Sequence, residues 1–130
     1  MILLDTPVVI WLAGDHRRIS PKAHKAIQEA RAKEQGLAVS SMTLLEIARL
    51  ASYGKIRLAP DVETFLFDVE RRFTILPITG RIAVQAFLLP PSYPKDPADR
   101  VIGATALIED LPPITADKEI RSSRAVPTVW

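Results

Sequence analysis

The sequence predicts an α/β domain of three layers, α/β/α, in which helices cover both faces of a mainly parallel central sheet of about five strands. Short apolar runs of strand length alternate along the chain with longer stretches of helical spacing. Strands separated by helices are joined by crossover connections, which makes neighbouring strands parallel and places helices on the sheet faces. A length of 130 residues suits one domain, able to bury roughly two thirds of its unfolded surface. No internal repeat or low-complexity tract divides it.

The strand candidates are Ile2–Leu4 (ILL), Leu37–Ser40 (LAVS), Phe73–Leu76 (FTIL), Pro113–Thr115 (PIT) and Val126–Trp130 (VPTVW). The last two are the weakest, and Pro127 suits an edge strand better than a central one. Asp5-Thr6-Pro7 is a helix-start sequence. Ser20–Pro21 opens a helix that runs to about Lys33 and closes at Gly36, a start and stop pair. Met42–Ser52 forms the next and ends before Gly54; Asp61 opens a third through Arg72, and Thr79 a fourth through about Leu88. Pro97–Asp110 is the fifth. Its segment Val101–Ile108 (VIGATALI) carries no charge, so this helix is expected to be buried on most sides. The Pro-rich LLPPSYP at Leu88–Pro94 reads as a connecting loop.

The composition, 48% hydrophobic and 25% charged, is that of an ordinary soluble globular protein. The absence of cysteine excludes a disulfide framework, a thiolate metal site and a cysteine nucleophile. No apolar run approaches the ~18 residues of a membrane span. The opening MILLD sets an acid where a signal peptide would continue its apolar core, so a cytoplasmic protein is expected. A net charge of +2 and a pI near 9.2 favour an anionic partner only weakly.

Chemistry in an open parallel sheet gathers at the carboxyl ends of the strands. Asp5 follows the first strand, Glu46 lies one turn into the helix after the second, and Asp117 stands just past the fourth. Asp96 and Asp99 head the buried helix, which starts at the same rim because it runs antiparallel to the sheet. Each acid also has a structural reading. Asp5 and Asp117 are candidate helix caps, and Glu46 shares its side of the helix with Met42 and Leu50 as a candidate solvated residue. Asp96 is a candidate N-cap before Pro97, with Asp99 favouring the helix's positive end. Convergence is what distinguishes them. Two unit charges at ~4 Å cost roughly 4 kcal/mol at an effective dielectric near 20, so such a cluster needs protons or cations among its members. Oxygen ligands without cysteine or suitably spaced histidine select Mg2+ or Mn2+. Two such ions, roughly 3.5–4 Å apart, suit an in-line phosphoryl displacement.

These stretches resemble the PIN-domain ribonucleases, most closely the VapC-type toxins of bacterial and archaeal toxin–antitoxin pairs. The resemblance lies in LLDT, LLEIARLASYGKIRL, DPADRVIGATAL, TADKEI and the terminal TVW, and so covers nearly the whole chain. It implies a single PIN-like domain over residues 1–130 that hydrolyses RNA phosphodiester bonds as a Mg2+- or Mn2+-dependent endoribonuclease. It further implies a homodimer, silenced by a cognate antitoxin that lays a C-terminal segment along the active-site groove. The family's acidic quartet, at once catalytic and metal-binding, falls on Asp5, Glu46, Asp99 and Asp117, leaving Asp96 to cap the helix or support the ligands from behind. Gly103 departs from the pattern, standing where an apolar residue is commoner.

Thr6 and Thr115 carry hydroxyls beside Asp5 and Asp117, suited either to orienting a carboxylate or a water or to simple capping. Arg100, Lys118, Lys95 and Arg49 neighbour the acids in sequence and are candidate phosphate contacts; Arg100 has an equal claim to pairing with Asp96 or Asp99. His16 and His24 stand near no acid motif and read as surface residues, and Trp11, Phe65 and Phe67 read as core or dimer contacts. A haloacid-dehalogenase-like phosphatase needs a second acid where Pro7 stands, and a response-regulator receiver needs an acidic pair and a later lysine, so neither pattern is met. The rival reading is a catalytically inactive PIN-like module that binds RNA or protein. Acids in all four places argue against it, because an RNA-binding surface sheds negative charge.

Overall fold

A computed structural model describes all 130 residues. The chain runs β1 (Ile2–Leu4), α1 (Thr6–Ala13), α2 (Pro21–Ala32), β2 (Leu37–Ser40), α3 (Ser41–Ser52), α4 (Val62–Arg72), β3 (Thr74–Leu76), α5 (Gly80–Leu88), α6 (Pro97–Glu109), β4 (Pro113–Ile114) and α7 (Lys118–Ser123), with a 3-10 turn at His16–Arg18. The four strands lie in the order β3-β2-β1-β4, and every pairing is parallel.

Alternation along the strands builds the layers. Leu4, Leu37, Val39 and Ile114 face one core, where they meet Val8 and Val9 of α1, Ile27 of α2, Ile47 of α3 and Val69 of α4. Leu3 and Ala38, paired across β1 and β2, face the other with Ile102 and Ala106 of α6 and Ile120 of α7. Helix α5 packs outside α6 through Ile82 and Ala86 against Val101 and Ala104. Helix α6 is therefore enclosed by the sheet on one side and α5 on the other, and all residues from Val101 to Ala106 are buried. Small side chains at Ala104 and Ala106 permit that double contact. Each fully buried Leu, Ile or Val in these cores contributes about 1.5–3 kcal/mol of transfer free energy.

The sheet has four strands rather than about five. Val126–Trp130 adds only one isolated parallel bridge, Ile114 to Val129, held by the Val129 N–H to Pro113 at 2.9 Å and the Thr115 N–H to Val129 at 3.3 Å. Pro127 has no N–H to extend this ladder. Helix α1 begins at Asp5-Thr6-Pro7 as the sequence indicates, and Asp117 caps the short α7. No helix is long and apolar enough to cross a membrane.

Candidate active site

Four helix starts meet at the carboxyl edge of the sheet, and each is capped by a side chain. Asp5 caps α1, Ser40 caps α3, Asp96 caps α6 and Asp117 caps α7. The positive ends of these helices temper the acids gathered there. Asp5, Glu46, Asp99 and Asp117 line one pocket of about 300 Å³, completed by Thr6, Pro7, Trp11, Leu50 and Ala116.

Asp5 is 5% exposed. Its Oδ1 accepts the Thr6 N–H at 2.9 Å and its Oδ2 accepts the Thr115 hydroxyl at 2.7 Å. Burial pushes its carboxyl up to about 6, with Glu46 and Asp117 adding to the rise and the two hydrogen bonds opposing it. Asp99 is half-buried in the first turn of α6. Burial, then the charges of Asp5, Asp96, Glu46 and Asp117, push it up to about 7. Glu46 is only 11% exposed, with the Arg49 guanidinium 4.0 Å away. That position overturns the solvated-helix reading of Glu46; the side it shares with Leu50 faces the pocket. Asp117 Oδ1 accepts the N–H groups of Glu119 and Ile120 at 2.9 and 3.0 Å.

Thr115 joins two of the acids: its hydroxyl donates to Asp5 and accepts the Asp117 N–H at 3.1 Å. Thr6 lines the pocket, yet its hydroxyl meets Thr43 at 3.1 Å rather than a carboxylate. Asp96 stands outside the pocket and caps α6 through the Ala98 N–H at 3.0 Å; it reaches the site only through the charge it exerts on Asp99. Arg100 pairs with neither Asp96 nor Asp99. Its guanidinium donates to the carbonyls of Ala86, Leu89 and Tyr93 at 3.0, 3.4 and 3.5 Å. Lys95 and Lys118 are exposed and lie outside the pocket lining. His16 and His24 stack on each other, ring centroids 5.9 Å apart, and line neither this pocket nor the larger groove beside it.

Sequence reasoning missed Thr43 and Tyr93. Thr43 carries no local signal, because its partner lies 37 residues away. Tyr93 donates its hydroxyl to the Asp99 carbonyl, and the sign of it in the sequence is Gly103, a glycine inside a buried helix.

An all-carboxylate donor set with a single guanidinium at its margin suits a hard divalent cation. As the side chains stand, no three acids reach one common point at ligand distance. Asp5 and Asp117 are turned toward their own hydrogen-bond donors. Asp5 keeps one lone pair on each oxygen and Asp117 keeps its Oδ2 free of these donors, so joint ligation asks chiefly for rotation of the Glu46 and Asp99 side chains on a backbone already in place.

Trp11 is a wall shared with a larger groove of about 1040 Å³ that passes between α1, α2 and α4. Trp130 lies 5.9 Å from it, centroid to centroid, and the Arg18 guanidinium sits 5.8 Å over its ring.

Residues 2–125 match the family described as PIN domain. Ribonuclease VapC22 of Mycobacterium tuberculosis is 37% identical over 131 residues, covering 99% of this chain and 98% of that protein. A toxin–antitoxin complex from Klebsiella pneumoniae superposes with a TM-score of 0.68 at 25% identity, covering 98% of this chain and 97% of that one. VapBC2 from Rickettsia felis, solved bound to a DNA fragment from its promoter, gives 0.72 at 16% identity with the same coverage; at that identity the likeness is one of fold.

Proposed function

The chain belongs to the PIN-domain family, and from that premise we propose that it is the toxin of a type II toxin–antitoxin pair, an endoribonuclease that hydrolyses RNA phosphodiester bonds with Mg2+ or Mn2+. The observation that carries this reading is the meeting of Asp5, Glu46, Asp99 and Asp117, from four separated segments, in one pocket with Arg49 as the nearest cation. These four side chains would hold the ions. A bound divalent ion supplies positive charge where the phosphoryl oxygens gain negative charge in the transition state.

The rest falls to the chain's own groups. Thr115 and the Thr6 N–H fix Asp5 in one orientation. Pro7, Trp11 and Leu50 narrow the water around the acids, which strengthens electrostatic interactions there. Lys95 and Lys118, exposed beside Asp96 and Asp117, are suited to the phosphates flanking the scissile one. The larger groove, which shares Trp11 with the acidic pocket, suits the antitoxin segment. On α5, Val84, Phe87 and Leu88 are 63%, 78% and 68% exposed on one helical face, a stripe suited to a two-fold contact with a second copy. The setting of this chemistry is the cytoplasm.

The test is cleavage of RNA by the purified chain with Mn2+, with EDTA, and with Asp99→Asn. Cleavage is expected only with wild type plus metal, and the variant should lose about a thousandfold or more, the scale of losing an electrostatic group at the reacting centre. Expression in a bacterial host should arrest growth with wild type and not with Asp5→Asn. An inert wild type that still binds RNA would return the non-catalytic binding module.

A further inference from the structure

Asp99 differs from the other two aspartates of the pocket. Asp5 and Asp117 each have hydrogen-bond donors on their carboxylates, whereas the Asp99 carboxylate accepts none and its only tether is at the backbone. The Tyr93 hydroxyl donates to the Asp99 carbonyl at 2.8 Å, the same carbonyl that the helical ladder assigns to the Gly103 N–H. Tyr93 is 2% exposed, and a tyrosine hydroxyl is a proton donor across the neutral range.

Two further residues make this contact possible. A Cβ on residue 103 would overlap the Tyr93 hydroxyl and lie 2.7 Å from its Cζ. Gly103 is therefore the socket for the tyrosine, which accounts for a glycine where the family pattern has an apolar side chain. Arg100 binds the loop that carries Tyr93, through the carbonyls of Leu89 and Tyr93, to the end of α5 at Ala86. We infer that Tyr93 is a positioning residue that aims the Asp99 carboxylate into the acidic pocket, seated in the space left by Gly103 and clamped by Arg100. This rests on the reading of Asp99 as a metal ligand. An aspartate has one methylene between backbone and carboxylate, so a shift of the first turn passes directly to the ligand oxygens. Metal–ligand distances tolerate only about 0.2 Å of such movement.

Calorimetric titration with Mn2+, well below the unfolding transition, tests this in wild type, Asp99→Asn, Tyr93→Phe and Gly103→Ala. Tyr93→Phe keeps the ring in its socket and removes only the donor. Its Mn2+ dissociation constant is expected to rise about 3- to 10-fold, the scale of one hydrogen bond, with cleavage returning toward the wild-type rate at saturating Mn2+. Gly103→Ala, which expels the hydroxyl, should weaken Mn2+ binding likewise and also lower Tm. Pairing Gly103→Ala with Tyr93→Leu restores room, so Tm should recover while Mn2+ binding stays weak; recovery of both would reduce Tyr93 to a packing residue and overturn the inference. Wild-type affinity in Tyr93→Phe, with binding lost in Asp99→Asn, would overturn it while leaving the proposed function intact. A wild-type chain that binds no Mn2+ would overturn both.

Discussion

Asp5 and Asp99, pushed up to about 6 and about 7 chiefly by burial, make the folded chain hold protons more tightly than the unfolded one. The stability they contribute is complete below the ordinary carboxylate range and is lost as pH climbs through those raised values. In EDTA, Asp99→Asn removes this loss. Its Tm should therefore exceed that of wild type by about 2–6 °C at pH 8, with the gap closing toward pH 5, as followed by circular dichroism. A gap that widens at low pH would contradict the assignment. Thr115→Val deletes the hydroxyl that holds Asp5 and should slow cleavage about tenfold or more, while Thr115→Ser should restore it. The four acids were legible because Asp5, Asp99 and Asp117 sit at strand or helix ends and Glu46 one turn into α3, where position follows from chain order. The partners of Thr6, Thr43 and Arg100 were not, since each is set by segments that meet only in the folded chain.

Among the elements, α6 shows how a cap and a ligand divide one short motif. Asp96 satisfies the Ala98 N–H and Asp99, three residues on, enters the pocket. Asp96→Ala should cost about 0.5–2 kcal/mol of stability in denaturant unfolding. Asp96→Asn should keep the cap, and by removing one of the charges that raise Asp99 it should shift the acidic limb of the cleavage profile to lower pH. Helices α2 to α6 were readable from the sequence because each begins at a Ser, Thr or Asp cap, and all but α4, which passes through Phe73 straight into β3, end at a Gly or in a loop. The Val126–Trp130 segment was misread as a strand because apolar content does not supply the donors that Pro127 lacks.

For the molecule as a whole, the parallel sheet with helices on both faces was legible from the alternation of elements, and that topology is what brings acids from distant segments to one rim. The exposed stripe on α5 was not, because the helical pattern alone does not show which apolar face is left uncovered once α5 packs on α6. Phe87→Glu should convert a dimer into a folded monomer in sedimentation experiments, since Phe87 is 78% exposed in the single chain; its Tm should fall only by what association contributes. A wild-type monomer at high concentration would rule out the stripe as a self-association surface.

The contact between Trp11 and Trp130 brings together both indoles of the chain at the partition between the two hollows. Ultraviolet emission is consequently a built-in gauge of that corner: whatever fills either hollow registers as a change in brightness or colour, with no dye attached.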